Sequence, residues 1–166
     1  MTARYSKVTI FGHPIHPMIV SFPIAFYTVG VVALIVYAAT RDAFWYRAAM
    51  ILWFAGAGGA LVAAVFGALD LFLGIPMRAR PYGTGVLHFG ANILALCLFV
   101  GAAFMMYGDW NARPPSPPTL RIAPQLVLGL VGLALTAAAG ALGYKMVQTE
   151  HVGVDDSQPE PDARAT

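Results

Sequence analysis

Charge is what this 166-residue sequence has least of. Only 11% of its residues are Asp, Glu, Lys or Arg, against 58% hydrophobic, whereas a soluble domain carries about 25% charged residues. So few charges cannot coat a water-facing surface, which leaves the lipid bilayer as the solvent that does not require them. The net charge of +2 is too small and too evenly spread to suggest a nucleic-acid partner. Cysteine is nearly absent: Cys97 stands alone, which excludes an intrachain disulfide. It falls within an apolar run and reads as a small packing residue. Missing too are H-E-x-x-H, paired cysteines, G-x-S-x-G, a P-loop and a dinucleotide fingerprint. No segment between apolar runs is long enough for a soluble catalytic domain, so any activity would have to arise within a bundle or at its rim.

What is present is four apolar runs: Met18–Ala39, Tyr46–Leu69, Gly85–Tyr107 and Ile122–Met146. Each exceeds the roughly 20 residues that cross a bilayer, and none has a charge in its interior. The first follows Arg4 and Lys7 but is longer than a signal-peptide core of about 7–15 residues, so it reads as a retained helix. Breakers and charges separate the runs: Thr40-Arg41-Asp42, Gly74 to Pro81, and Asp109 to Arg121. Trp45, Tyr46, Tyr82, Tyr107 and Trp110 mark run ends as an interfacial belt. The expected fold is an all-α, four-helix transmembrane bundle over residues 1–153. A polar tail, expected to be disordered, follows over 154–166.

An even number of spans puts both termini on one side. That rim carries Arg4, Lys7, Arg78, Arg80 and Lys145, and the other carries Arg41, Arg47, Arg113 and Arg121. The balance leans toward cytoplasmic termini in a bacterial inner membrane. Small residues line run two (Gly56, Ala60, Ala63, Ala64, Gly67) and run four (Gly129, Gly132, Ala137, Gly140, Gly143). Such stripes serve either tight helix contact or a groove for a flat cofactor.

All four histidines fall at the rim that holds the termini. His13 and His16 each precede a proline, which disfavours helix there and predicts an extended entry. Pro17 suits a first helical turn. Pro23 should kink run one near Ile19, freeing a carbonyl that Ser21 or a neighbour could rescue. His88 and Asn92, four residues apart, share a face of run three. Asp70 closes run two at a depth where it could orient His88, and His151 follows run four. His88, Asp70, His16, His13, Asn92 and His151 are therefore the candidate cofactor-binding or polar-site residues. Any metal would fall to His88, His16 or His13. Each also has a structural reading, as glue between helices or as a rigid, capped entrance.

The runs G-H-P-I-H-P-M-I-V-S-F-P-I-A-F, F-W-Y-R-A-A, F-G-A-L-D, L-H-F-G-A-N and H-V-G-V resemble the bacterial DUF2231 family of four-helix predicted membrane proteins, over about residues 11–154. The resemblance brings no established activity. Some relatives are fused to Rieske-type or other redox domains, and the bundle has been likened to b-type cytochromes, which implies electron transfer by analogy. Its polar signature falls on His13, His16, Asp70, His88, Asn92 and His151. Two positions depart from it. Ser21 stands where many relatives have another histidine, and Gly143-Tyr144-Lys145-Met146-Val147 replaces a G-G-E-L-V run.

The pattern thus predicts a non-catalytic membrane module or assembly partner. The alternatives are electron transfer through haem b or a transition metal held by the histidines, and a proton- or ion-handling carrier. The expected partners are the bilayer, a redox or other membrane protein, and a second copy of the chain.

Overall fold

The computed structural model describes residues 5–108 and 119–154. A two-residue hairpin comes first: β1 (Thr9–Ile10) pairs antiparallel with β2 (His13–Pro14), Ile10 opposite His13. Phe11 and Gly12 turn the chain with φ of 50° and 82°, the left-handed pair that a tight two-residue hairpin needs. Five helical segments follow: α1 (Ile15–Ile19), α2 (Ser21–Thr40), α3 (Ala43–Leu69), α4 (Arg80–Tyr107) and α5 (Thr119–Gln148). A wide π-helical turn, Asp70–Gly74, extends α3.

Four stretches are long and apolar enough to cross a membrane: Ile15–Thr40, Ala43–Gly74, Arg80–Tyr107 and Ile122–Gln148. They contain the four expected runs and extend each. The break between α1 and α2 falls at Val20, beside the carbonyl that Pro23 leaves without a donor. His13 is extended as expected, but His16 is not. It sits in the first turn of α1, where Pro17 needs no N–H partner and the helix forms despite the proline after His16. Asp42 caps α3 by accepting from the Phe44 amide at 2.9 Å. Tyr46 leaves the expected aromatic belt. It is 2% exposed and packs edge-on against Tyr37, with ring centres 5.1 Å apart. Trp110 and the tail from residue 155 lie outside the described residues.

The bundle is one helical hairpin used twice. α2 runs from the histidine rim to the far end and α3 returns; α4 and α5 do the same. Buried Pro23, Tyr27, Gly30, Val31 and Leu34 of α2 correspond, at the offset separating His16 from His88, to buried Ala95, Phe99, Ala102, Ala103 and Met106 of α4. On the returning helices, buried Tyr46, Ala49, Trp53, Gly56 and Ala63 correspond at one constant offset to buried Ile122, Gln125, Gly129, Gly132 and Ala139.

The equivalent residues meet at the centre. Tyr27 and Phe99 stack on one another, centres 3.8 Å apart and planes within 8°. Each lies over the glycine of its own hairpin: a Cβ on Gly56 would stand 2.8 Å from the Tyr27 ring, and one on Gly132 2.8 Å from Phe99. Trp53 breaks the symmetry, because only one indole fits there. Its counterpart is Gly129, whose Cβ would come within 2.9 Å of the indole, and Gly30 gives way on the other side. Gly56, Gly129 and Gly132 of the small-residue stripes are therefore ring seats, which is how helices without a hydrophobic drive between them gain close packing in lipid.

Candidate functional site

The duplication brings two of the four histidines together. His16 and His88 lie at equivalent places near the rim, with ring centres 6.0 Å apart and planes at 84°. Each ring is tied to the returning helix of its own hairpin. His16 Nδ1 donates to the Ala63 carbonyl at 2.8 Å, and His88 Nδ1 donates to the Ala139 carbonyl at 2.8 Å. One turn beyond each carbonyl is a glycine that makes room for the ring. A Cβ on Gly67 would stand 3.0 Å from His16, and one on Gly143 3.2 Å from His88.

A carbonyl only accepts, so each Nδ1 must carry the proton. In the neutral ring Nε2 is then an acceptor, and at His88 that lone pair is already used. The Asn92 amide nitrogen lies 3.2 Å from His88 Nε2 and also donates to the His88 carbonyl at 2.9 Å. The network also fixes which way the Asn92 amide points, since a flipped amide would set oxygen against oxygen. His88 with Asn92 thus joins α4 to α5 with both ring nitrogens engaged.

The other candidates lie apart from this pair. Asp70 does not orient His88. Its carboxylate holds the chain entering the first hairpin, accepting from the Lys7 amide at 2.7 Å and from the Val8 amide and the Ser6 hydroxyl at 3.1 Å each. The π-helical turn that begins at Asp70 brings this acid to the incoming strand. His13 is exposed on the β-hairpin and donates to the Phe11 carbonyl at 3.1 Å. His151 follows α5 in a left-handed turn, φ 56°. The chain then closes on the entrance, with Gly153 against Pro14. Among the described residues, no three His, Cys, Asp or Glu side chains stand close enough to share a metal ion.

Residues 12–156 match DUF2231, a family described as a predicted membrane protein. The chain belongs to the DUF2231 family. No curated protein and no solved structure matches it. This DUF2231 chain is accordingly a membrane protein with four candidate spans. Its rim histidines divide into a central pair, His16 and His88, and two outlying residues. Sequence reasoning singled out His88 with Asn92 but missed that His16 is its equivalent. The signal was available as A-x-x-x-G in both returning helices, Ala63 to Gly67 and Ala139 to Gly143.

Proposed function

We propose that this DUF2231 protein is a non-catalytic membrane module, a compact bundle that serves as an assembly partner in a bacterial inner membrane with its termini on the cytoplasmic side. One observation carries this reading: His16, His88, Asn92 and Asp70 are engaged in holding the bundle together. His16 ties α1 to α3, His88 and Asn92 tie α4 to α5, and Asp70 ties residues 6–8 to the π-helical turn after α3. A haem or metal ligand would need the His88 Nε2 lone pair that the Asn92 amide now faces. A proton carrier would need titratable groups deep in the spans, whereas Asp70 and both central histidines stand near the rim.

The test is an absorption spectrum and metal analysis of the detergent-purified protein, expressed with ample haem and iron. A colourless, metal-free protein is expected. A Soret band, or stoichiometric metal that disappears in His88→Ala, would overturn the reading.

A further inference from the structure

The returning helices of the two hairpins end beside acids that are not counterparts, since at their common offset Asp70 answers to Met146. In the first, the carboxylate closing the returning helix, Asp70, is saturated by residues 6–8. In the second, the acid just beyond the returning helix is Glu150, and its corner is open. A half-open cavity of about 490 Å³ lies there between the start of α4 and the end of α5, with Arg80, Lys145, Thr149, Glu150 and His151 in its wall. The Glu150 side chain is only 10% exposed. Its Oε1 accepts from the Thr84 hydroxyl at 2.8 Å and lies 3.7 Å from Lys145 Nζ. Its Oε2 is buried with no partner among the described residues. Lys145 balances the charge at long range, but a carboxylate oxygen out of water without a hydrogen bond is costly, so an N–H donor brought to this carboxylate is stabilising.

The same cavity also calls for an anion. Arg80 offers a guanidinium whose fork fits phosphate oxygens, Lys145 is 55% exposed beside it, and the first turn of α4 has no side-chain cap. Its position narrows the source. One candidate span begins at Arg80 and another ends at Gln148, so the cavity lies at the level of the lipid headgroups.

We propose that this corner binds the headgroup of an amine-bearing phospholipid. Lys145 turns from Glu150 to the lipid phosphate beside Arg80, and the primary ammonium takes its place at the Glu150 carboxylate. Choline headgroups present no N–H to the carboxylate, and glycerol headgroups present no cation. Phosphatidylethanolamine supplies both charges two carbons apart. This site does not depend on the chain being non-catalytic, only on its lying in a bilayer.

Native mass spectrometry of the full-length, delipidated protein tests it, with phosphatidylethanolamine, phosphatidylcholine and phosphatidylglycerol carrying identical acyl chains. Wild type should retain phosphatidylethanolamine about tenfold better than the other two, equivalent to one strong charge-assisted bond. Glu150→Gln should remove that preference and keep residual binding of all three. Arg80→Ala, an exposed position, should weaken all three alike. Equal retention by wild type, or an undiminished preference in Glu150→Gln, would overturn the proposal. Binding of soluble phosphoethanolamine as tightly as the lipid would overturn the bilayer as the source.

Discussion

Alanine at Gly143 and at Gly140 is the same change in the same helix, three residues apart, yet the two sites should respond differently. In a helix interior alanine gains roughly 0.5–1 kcal/mol over glycine, and that gain is common to both. At Gly140 the new Cβ meets nothing within 4 Å, so the gain stands alone. At Gly143 it would lie 3.2 Å from His88 Cε1 and 3.4 Å from Nδ1, inside the roughly 3.5–4.0 Å of a favourable carbon contact. The ring cannot move aside freely, because the Ala139 carbonyl holds one edge and Asn92 meets the other. Overpacking costs about 1–3 kcal/mol, and an overlap of a few tenths of an ångström belongs at the low end. The difference isolates the ring contact at about 1 kcal/mol, or about 2–4 °C in Tm. Thermal unfolding in detergent, followed by circular dichroism, reads it directly. The first hairpin supplies a replicate: Gly67→Ala meets two His16 ring atoms at 3.0 Å, whereas Gly58→Ala meets nothing. The gap there should be wider, about 2 kcal/mol. Equal melting temperatures for Gly143→Ala and Gly140→Ala would refute the claim that the glycine seats the imidazole.

Two further outcomes follow from the rim. Asp70→Asn removes a charge that accepts three bonds from residues 6–8, each worth about 1.5–3 kcal/mol with a charged acceptor. Trypsin should therefore cut after Lys7 at least about tenfold faster, and an unchanged rate would show that Asp70 does not anchor that segment. His13→Cys and Arg41→Cys, both at exposed positions, should be labelled by an impermeant thiol reagent from opposite sides of the membrane. Labelling of both from one side would refute the four-span topology.

The architecture was legible because it rests on composition and run length. Apolar stretches longer than a bilayer is thick, separated by charges and prolines, leave little alternative to spanning helices. The Pro23 break was legible for an equally local reason, a missing N–H. What escaped depended on partners far away in sequence. Tyr46 sits at a run end like any belt tyrosine, and only the fold brings Tyr37 against it. Asp70 stands at the right depth to meet His88, but the π-helical turn gives it to the Lys7 and Val8 amides instead. The β-hairpin escaped because Phe11 takes a left-handed conformation that glycine or asparagine ordinarily signals.

The duplication escaped for a different reason: it conserves space and not residue type. His16 and His88 are identical, but Tyr27 answers to Phe99, Leu34 to Met106 and Pro23 to Ala95. What repeats is the rule that a ring on the outgoing helix meets a glycine on the returning one. Tyr27 has Gly56, Phe99 has Gly132, His16 has Gly67 and His88 has Gly143. In a bilayer, close contact and buried polar ties hold helices together, and this ring-on-glycine contact supplies the close approach in both hairpins. The exceptions are then informative. Trp53 against Gly129 is forced by packing, since two indoles cannot occupy one centre. Asp70 and Glu150 are not such a pair: at the offset of the returning helices Asp70 answers to Met146, and Glu150 to Gly74. One acid is fully bonded within the chain, and the other keeps an oxygen unpaired beside a cavity. The unpaired oxygen at Glu150 therefore has to be explained by its own surroundings and not by symmetry, and the proposed amine-bearing headgroup is an occupant that the charges of that cavity fit.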